Sequence, residues 1–169
     1  MRLEPRSETD VGVYQVPEGG AILVRLVDWR GDGALTVDVR TFGDSDDGRR
    51  FGKGVCLRPR GWEELLPLLR AAVADGPPWL GEERFAEAVV GEAKKNGLEV
   101  VKLSWVRGSK DDPPLLDLRV FAVKIVGPPV ATAKGLRLPA EVWSGLVPVI
   151  EEALAKLAAP PDAAPALAG

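Results

Sequence analysis

"RRFGKGVCLRPRGWEELLPLL", Arg49–Leu69, is followed some eighty residues later by "ATAKGLRLPAEVWSGLVPVI", Ala131–Ile150, and the two stretches spell one pattern. At a shift of 81 residues Lys53-Gly54 falls on Lys134-Gly135, Leu57 on Leu138, Trp62 on Trp143, Leu65 on Leu146 and Pro67 on Pro148, with no gap. Just upstream the shift becomes 79, and Asp38, Arg40 and Phe42 of "LTVDVRTF" fall on Asp117, Arg119 and Phe121 of "PLLDLRVF". The two-residue change is assigned to the intervening loop. Farther back, Val24 is matched to Val101 and Arg30-Gly31 to Arg107-Gly108. Length changes that fall between matched segments are those of a duplicated domain, whose elements are fixed by packing and whose loops are not.

Each copy reads as strands followed by a helix. Residues 21–30 and 34–42 are rich in β-branched and apolar side chains, and the "GDG" between them signals a hairpin turn. A third strand is predicted over about Arg49–Leu57, and "VGVYQV" upstream supplies one more. The period then changes from two to 3.6. Trp62, Leu65, Leu66, Leu69 and Val73 form one helical stripe, and Trp143, Leu146, Val147, Ile150 and Leu154 form the other. Trp62 and Trp143 open these stripes and are therefore expected to anchor a core. Pro67 and Pro148 each remove a backbone donor inside the helix, so a kink is expected there.

The predicted fold class is α+β, with two repeats of an antiparallel sheet followed by a helix. The first repeat spans 11–76 and the second 98–158; 159–169 reads as a flexible tail. The linker 77–97 is expected to carry a short amphipathic helix through Phe85, Ala86, Val89, Val90 and Ala93, stopped by Asn96-Gly97.

Composition narrows the chemistry. At 169 residues and 46% apolar, the chain can bury a real core. No apolar run approaches the roughly 20 residues that span a bilayer, and the N-terminal "MRLEPRSETD" is charged rather than signal-like. A cytoplasmic protein is expected, nucleoid-associated in a bacterium. Cys56 is the only cysteine and histidine is absent, so no internal disulfide, histidine-ligated zinc or histidine base is available. "DSDD" at Asp44, Asp46 and Asp47 reads as a solvated turn rather than a Mg²⁺ site. Neither cofactor, metal nor catalysis is expected.

Net charge is −3, but the charges are unevenly distributed. Alternation sends Leu35, Val37 and Val39 under the helix and leaves Thr36, Asp38, Arg40 and Phe42 on the opposite face. Strand 116–122 likewise presents Asp117, Arg119 and Phe121. Arginine beside an exposed ring suits single-stranded nucleic acid, since guanidinium pairs with phosphate while unstacked bases stack on the ring. Arg49, Arg50 and Lys53 add charge to copy one, and Lys134 and Arg137 to copy two. Simple alternation, however, places Lys53 on the side of Val55 and Leu57. A bulge or break is therefore predicted at Gly54 and at Gly135 to turn both lysines outward.

These residues resemble the single-stranded-DNA-binding transcriptional coactivators of the positive cofactor four type. "DWRGDGALTVDVRTF", "GKGVCL" and "GWEELLPLL" supply that family's order of motifs in copy one, and "LLDLRVF", "AKGLRL" and "EVWSGL" in copy two. The resemblance implies curved sheets outside and helices inside, with the tandem copies forming an intramolecular pseudo-dimer. It implies binding through Trp29, Arg30, Arg40 and Lys53, and through Arg107, Arg119 and Lys134, with Trp105 in the region of Trp29's counterpart. The expected partner is single-stranded DNA or RNA, alongside transcription or replication proteins; further dimerisation is allowed. A protein-interaction module of the same fold is the alternative, and the purine-rich-element family a less well matched relative.

Overall fold

The computed structural model describes residues 4–46, 48–79, 86–109 and 111–159. Asp47, Phe85, Lys110 and all but the first residue of the predicted tail lie outside them. The architecture is α+β: two four-stranded antiparallel sheets, each followed by one helix. The first sheet runs in chain order as β1 (Ser7–Gln15), β2 (Ala21–Asp28), β3 (Thr36–Ser45) and β4 (Gly48–Leu57), and α1 (Pro59–Asp75) follows. The second repeats this with β5 (Ala86–Lys94), β6 (Glu99–Arg107), β7 (Leu115–Ala122), β8 (Val130–Leu138) and α2 (Ala140–Ala158). No helix among the described residues is long and apolar enough to cross a membrane.

The predicted linker helix is instead β5. Val89, Val90 and Ala93 fit a helical spacing, but the burial alternates, with Ala88 and Val90 against the core and Val89 exposed. The β6 edge also needs the fourth strand that β1 supplies to β2. Gly12 pairs with Val24 just after a bulge in β1, and Gly91 pairs with Leu103 just after the same bulge in β5. The copies thus begin at Ser7 and Ala86, earlier than 11 and 98.

This pairing also corrects the upstream alignment. Val24 lies between Gly12 and Val39, and Leu103 between Gly91 and Leu118, so Val24 corresponds to Leu103 rather than to Val101. Trp105 then matches Leu26, a core position. Of the two extra residues in copy two, one lengthens the β7–β8 turn. The other enlarges a bulge: Gly52 and Lys53 face Thr41, whereas Thr132, Ala133 and Lys134 face Val120.

The two copies share one core. α1 packs on β5 and β6 as well as on its own β3 and β4, while α2 packs on β1, β2 and β3. A pseudo-twofold relation is visible in single contacts. A Cβ at Gly12 would lie 2.7 Å from Val149 of α2, and one at Gly91 would lie 2.5 Å from Leu68 of α1, so both strands accept the other copy's helix at a glycine. Trp62 and Trp143 are fully buried, and each indole donates to a β-strand carbonyl at 3.0 Å, of Val37 and Leu116 respectively. Both serve as the core anchors expected. On the axis Arg70 pairs with Glu151, its own counterpart 81 residues away. α1 and α2 run through Pro67 and Pro148, which lie on their solvent faces.

Candidate nucleic-acid interface

The outer face of the first sheet is organised around Asp38. It is fully buried and accepts hydrogen bonds from Arg25 Nε at 2.8 Å and from Arg40 through Nε at 2.6 Å and Nη2 at 2.8 Å. Arg25, itself 2% exposed, reaches Glu8 and stacks over Phe51, with its guanidinium carbon 4.2 Å from the ring centroid. In the second sheet Asp117 holds Arg119 through Nε and Nη2, each at 2.9 Å, and also Arg137 at 3.2 Å. The Asp-x-Arg forks are equivalent, and each guanidinium turns Nη1 toward a bulge carbonyl, of Gly52 or of Thr132. Burial disfavours the Arg40 charge, but the hydrogen bonds and charge of Asp38 more than offset it and raise its pKa. Arg119 is raised chiefly by its bonds to Asp117. A fork occupied by a carboxylate fixes the guanidinium plane, so both arginines are positioned cations rather than free hooks for phosphate.

The bulges lie one step before the glycines expected to carry them. Gly54 and Gly135 are paired regularly with Arg40 and Arg119, whereas the irregularity falls on 52–53 and 132–134. The glycines are needed for the close approach beside it: a Cβ at Gly54 would lie 2.5 Å from the Val39 carbonyl oxygen, and one at Gly135 would lie 2.7 Å from that of Leu118. Lys53 and Lys134 are exposed. Thr41 Oγ1 donates to the Lys53 carbonyl and Thr132 Oγ1 to that of Val120, tying down each bulge.

Edge strands β4 and β8 meet, so the two outer faces adjoin along a seam. There a cleft of about 890 Å³ opens between the copies. Among the described residues it gathers six cations, Arg30, Arg40, Lys53 and Arg58 from copy one with Lys95 and Lys134 from copy two, and none of those lining it is acidic. Among the described residues Arg30, Lys53 and Arg58 form no ion pair. Trp29 and Phe51 add rings. The indole Nε1 of Trp29 donates to Cys56 Sγ at 3.3 Å, and that thiol donates to Thr36 Oγ1 at 3.1 Å. Burial and the Asp38 charge push the Cys56 thiol up, which leaves it a neutral support. The loop bearing Trp29 and Arg30 is set by Asp28, whose carboxylate accepts from the N–H groups of Arg30, Gly31 and Gly33 at 2.7–3.0 Å. The Gly33 bond leads in lowering its pKa, against burial. Gly31 and Gly33 have φ of 75° and 77°, where glycine is favoured.

A second cleft, of about 680 Å³, lies over β7 and β8. Arg119, Phe121 and Arg137 line it together with Lys53 from copy one, but so do Asp117 and Glu87. Phe121 has Lys102 over its ring at 4.8 Å.

Of the residues expected at the site, Trp29, Arg30, Arg40, Lys53 and Lys134 therefore converge in one cleft, and Arg119 and Phe121 share the other with Lys53. Phe42 and Arg49 lie farther along the first sheet, with Arg49 over the Phe42 ring at 6.0 Å and paired with Asp10 at 2.7 Å. Arg50 is exposed on that same hairpin. Two expectations are corrected. Trp105 is 3% exposed within the core, because strand parity places it with Val101 and Leu103. Arg107 shares that parity at the end of β6 and lies over the Trp79 ring at 5.9 Å, on the side away from Arg119. Sequence reasoning missed Phe51 on β4 and Arg58 at its end, together with Lys95 in the β5–β6 turn, which joins them only where the copies meet.

Glu99 stands behind the cleft and holds two of its lysines, Lys95 Nζ at 2.6 Å and Lys134 Nζ at 3.0 Å. Burial raises its pKa, but the hydrogen bonds from these lysines outweigh it and hold the carboxyl at about 2, against an ordinary 4.5. A depressed carboxyl stabilises the fold above its unfolded pKa and loses that contribution as pH falls through the folded one. The stability difference between wild type and Glu99→Gln should hence be constant at neutral pH and shrink between pH 4.5 and about 2, as read by urea unfolding across that range.

No group of three or more potential ligand residues that could hold a metal ion occurs among the described residues. Comparison with family models and with curated proteins gives no match.

Proposed function

We propose that the protein is a non-catalytic, sequence-tolerant binder of single-stranded DNA or RNA, of the kind its motifs resemble, serving transcription, replication or repair. The observation that carries this is the seam cleft, where six cations and two rings meet with no acidic lining residue among those described. Phosphate attraction and base stacking are the two terms that single-strand binders combine, with about 1–3 kcal/mol per stacked base. They act locally, so a net charge of −3 does not oppose them at this surface.

Fluorescence polarisation with labelled single-stranded and duplex oligonucleotides tests the reading. Single strands should bind more tightly, with an affinity that falls steeply as salt rises. Lys53→Ala/Lys134→Ala should weaken binding and flatten the slope of log affinity against log salt by about 1.4, at about 0.7 per phosphate contact on a single strand. Equal affinity for duplex, or an unchanged slope in the double variant, rejects it.

A protein-contact role is supported by a different feature. Leu98, Ile125 and Val126 are 75%, 105% and 85% exposed, and their two loops are joined by a hydrogen bond from Val123 N–H to the Leu98 carbonyl. Apolar side chains so exposed at one end of the second sheet suit contact with another protein.

A further inference from the structure

We propose that the seam cleft is a subsite for one nucleotide unit, an aromatic base joined to phosphate, and that it occurs once per chain rather than once per copy. The inference rests on the same surface as the binding reading above but makes a separate claim, that a single unit suffices for recognition.

Shape and chemistry both point there. At about 890 Å³ the cleft has room for a small ligand, for which pockets of about 300–1,000 Å³ are usual. Its ring and its cations have distinct supports. Trp29 is held by its bond to Cys56 and by the Asp28-organised loop, so the indole is oriented before any ligand arrives. Phe51 has one face occupied by Arg25, which leaves Trp29 as the principal stacking surface. The cations come from both copies: Lys53 carries no ion pair among the described residues, and Lys134 is steadied by Glu99 from behind. A base on Trp29 with its phosphate between these two lysines uses both features at once. An anion without a ring, or a ring without an anion, uses only one.

The other copy does not repeat it. The single shift of 79 along the first three strands of each copy puts Gly108 where Trp29 stands, and the shift of 81 puts Arg137 where Cys56 supports the indole. The cleft on that side is lined by Asp117 and Glu87. Its ring is Phe121, already covered by Lys102, so it has neither a counterpart of Trp29 nor a wall without carboxylates.

Isothermal titration of the full chain with thymidine monophosphate, thymidine and inorganic phosphate tests this. The nucleotide is expected to bind at least about tenfold more tightly than either part, as the loss of one stacked base or of its phosphate would give. Trp29→Ala should lower nucleotide affinity about tenfold, Trp29→Phe should restore most of it, and Lys53→Ala/Lys134→Ala should weaken it comparably. Lys156→Ala, at an exposed position of α2 away from the clefts, should leave it unchanged. A stoichiometry near one per chain supports the asymmetry, and near two overturns it. Nucleotide binding no tighter than phosphate, or indifferent to Trp29→Ala, overturns the subsite. If an oligothymidylate binds while the mononucleotide does not, the subsite falls and the reading of the surface survives. If the mononucleotide binds through Trp29 while the oligonucleotide does not, the subsite stands as a free-nucleotide site and the single-strand reading falls.

Discussion

Asp38→Ala is expected to destabilise the protein by about 3–5 kcal/mol, as removal of one partner from a buried ion cluster does. Asp38 is fully buried and Arg25 is 2% exposed, so the substitution leaves an enclosed guanidinium whose remaining partners among the described residues are Glu8 and the Phe51 ring. Asp117→Ala removes the equivalent carboxylate at a lower cost, about 1–2 kcal/mol. The counterpart of Arg25 opposite Asp117 is Ser104, which carries no charge, and the side chain of Arg137 is half exposed and can turn to water. Urea unfolding of the two variants compares them directly. Equal losses would mean that the Arg25 cluster is not held together by charge balance. The same experiment bears on the cleft, since Asp38 fixes the plane of Arg40 at its wall.

Trp62→Ala should cost about 3–5 kcal/mol, by loss of transfer free energy together with the cavity left behind. The lost bond to the Val37 carbonyl adds a buried acceptor without its donor. Trp143→Ala is expected to match it, since burial and the bond to Leu116 are the same. Both should lower one cooperative transition of the whole chain, because α1 and α2 each pack on both sheets and the buried apolar side chains of the two copies form one cluster. Two separate transitions by circular dichroism, with only one moved by Trp62→Ala, would mean that each copy folds by itself.

The duplication was legible because it rests on side chains with no substitute at their positions. Trp62 and Trp143 fill the same hole, and the Asp-x-Arg pairs make the same fork. Burial of the stripes followed from periodicity alone. The strand β5 was not legible in that way, since a bulge at Val90 breaks the two-residue alternation and leaves a spacing that a helix also satisfies. Its match to β1 shows only through Gly12 and Gly91, whose common reason is a helix from the other copy. The Trp105 error has a related origin. The likeness of "VRL" to "VKL" is local, whereas the register of β6 is set by its neighbours on both sides, and one slip of two residues carries a core ring to the wrong counterpart. The lysines fared better, because alternation required a bulge near Gly54 and Gly135 and the sheets contain one beside each. What no reading of one copy could supply is the seam, where Arg58 and Phe51 meet Lys95 and Lys134 only because β4 and β8 come together.

The pairing of Arg70 with Glu151 has a consequence for how such a chain can change. In a dimer of identical subunits a residue on the twofold axis faces itself, so an arginine there meets an arginine and only self-tolerant side chains survive. Joining the halves in one polypeptide lifts that restriction, and the two positions can then take opposite charges. Every other matched pair gains the same liberty. One half can keep an indole where the other keeps a glycine, so that a symmetric scaffold comes to present a front and a back.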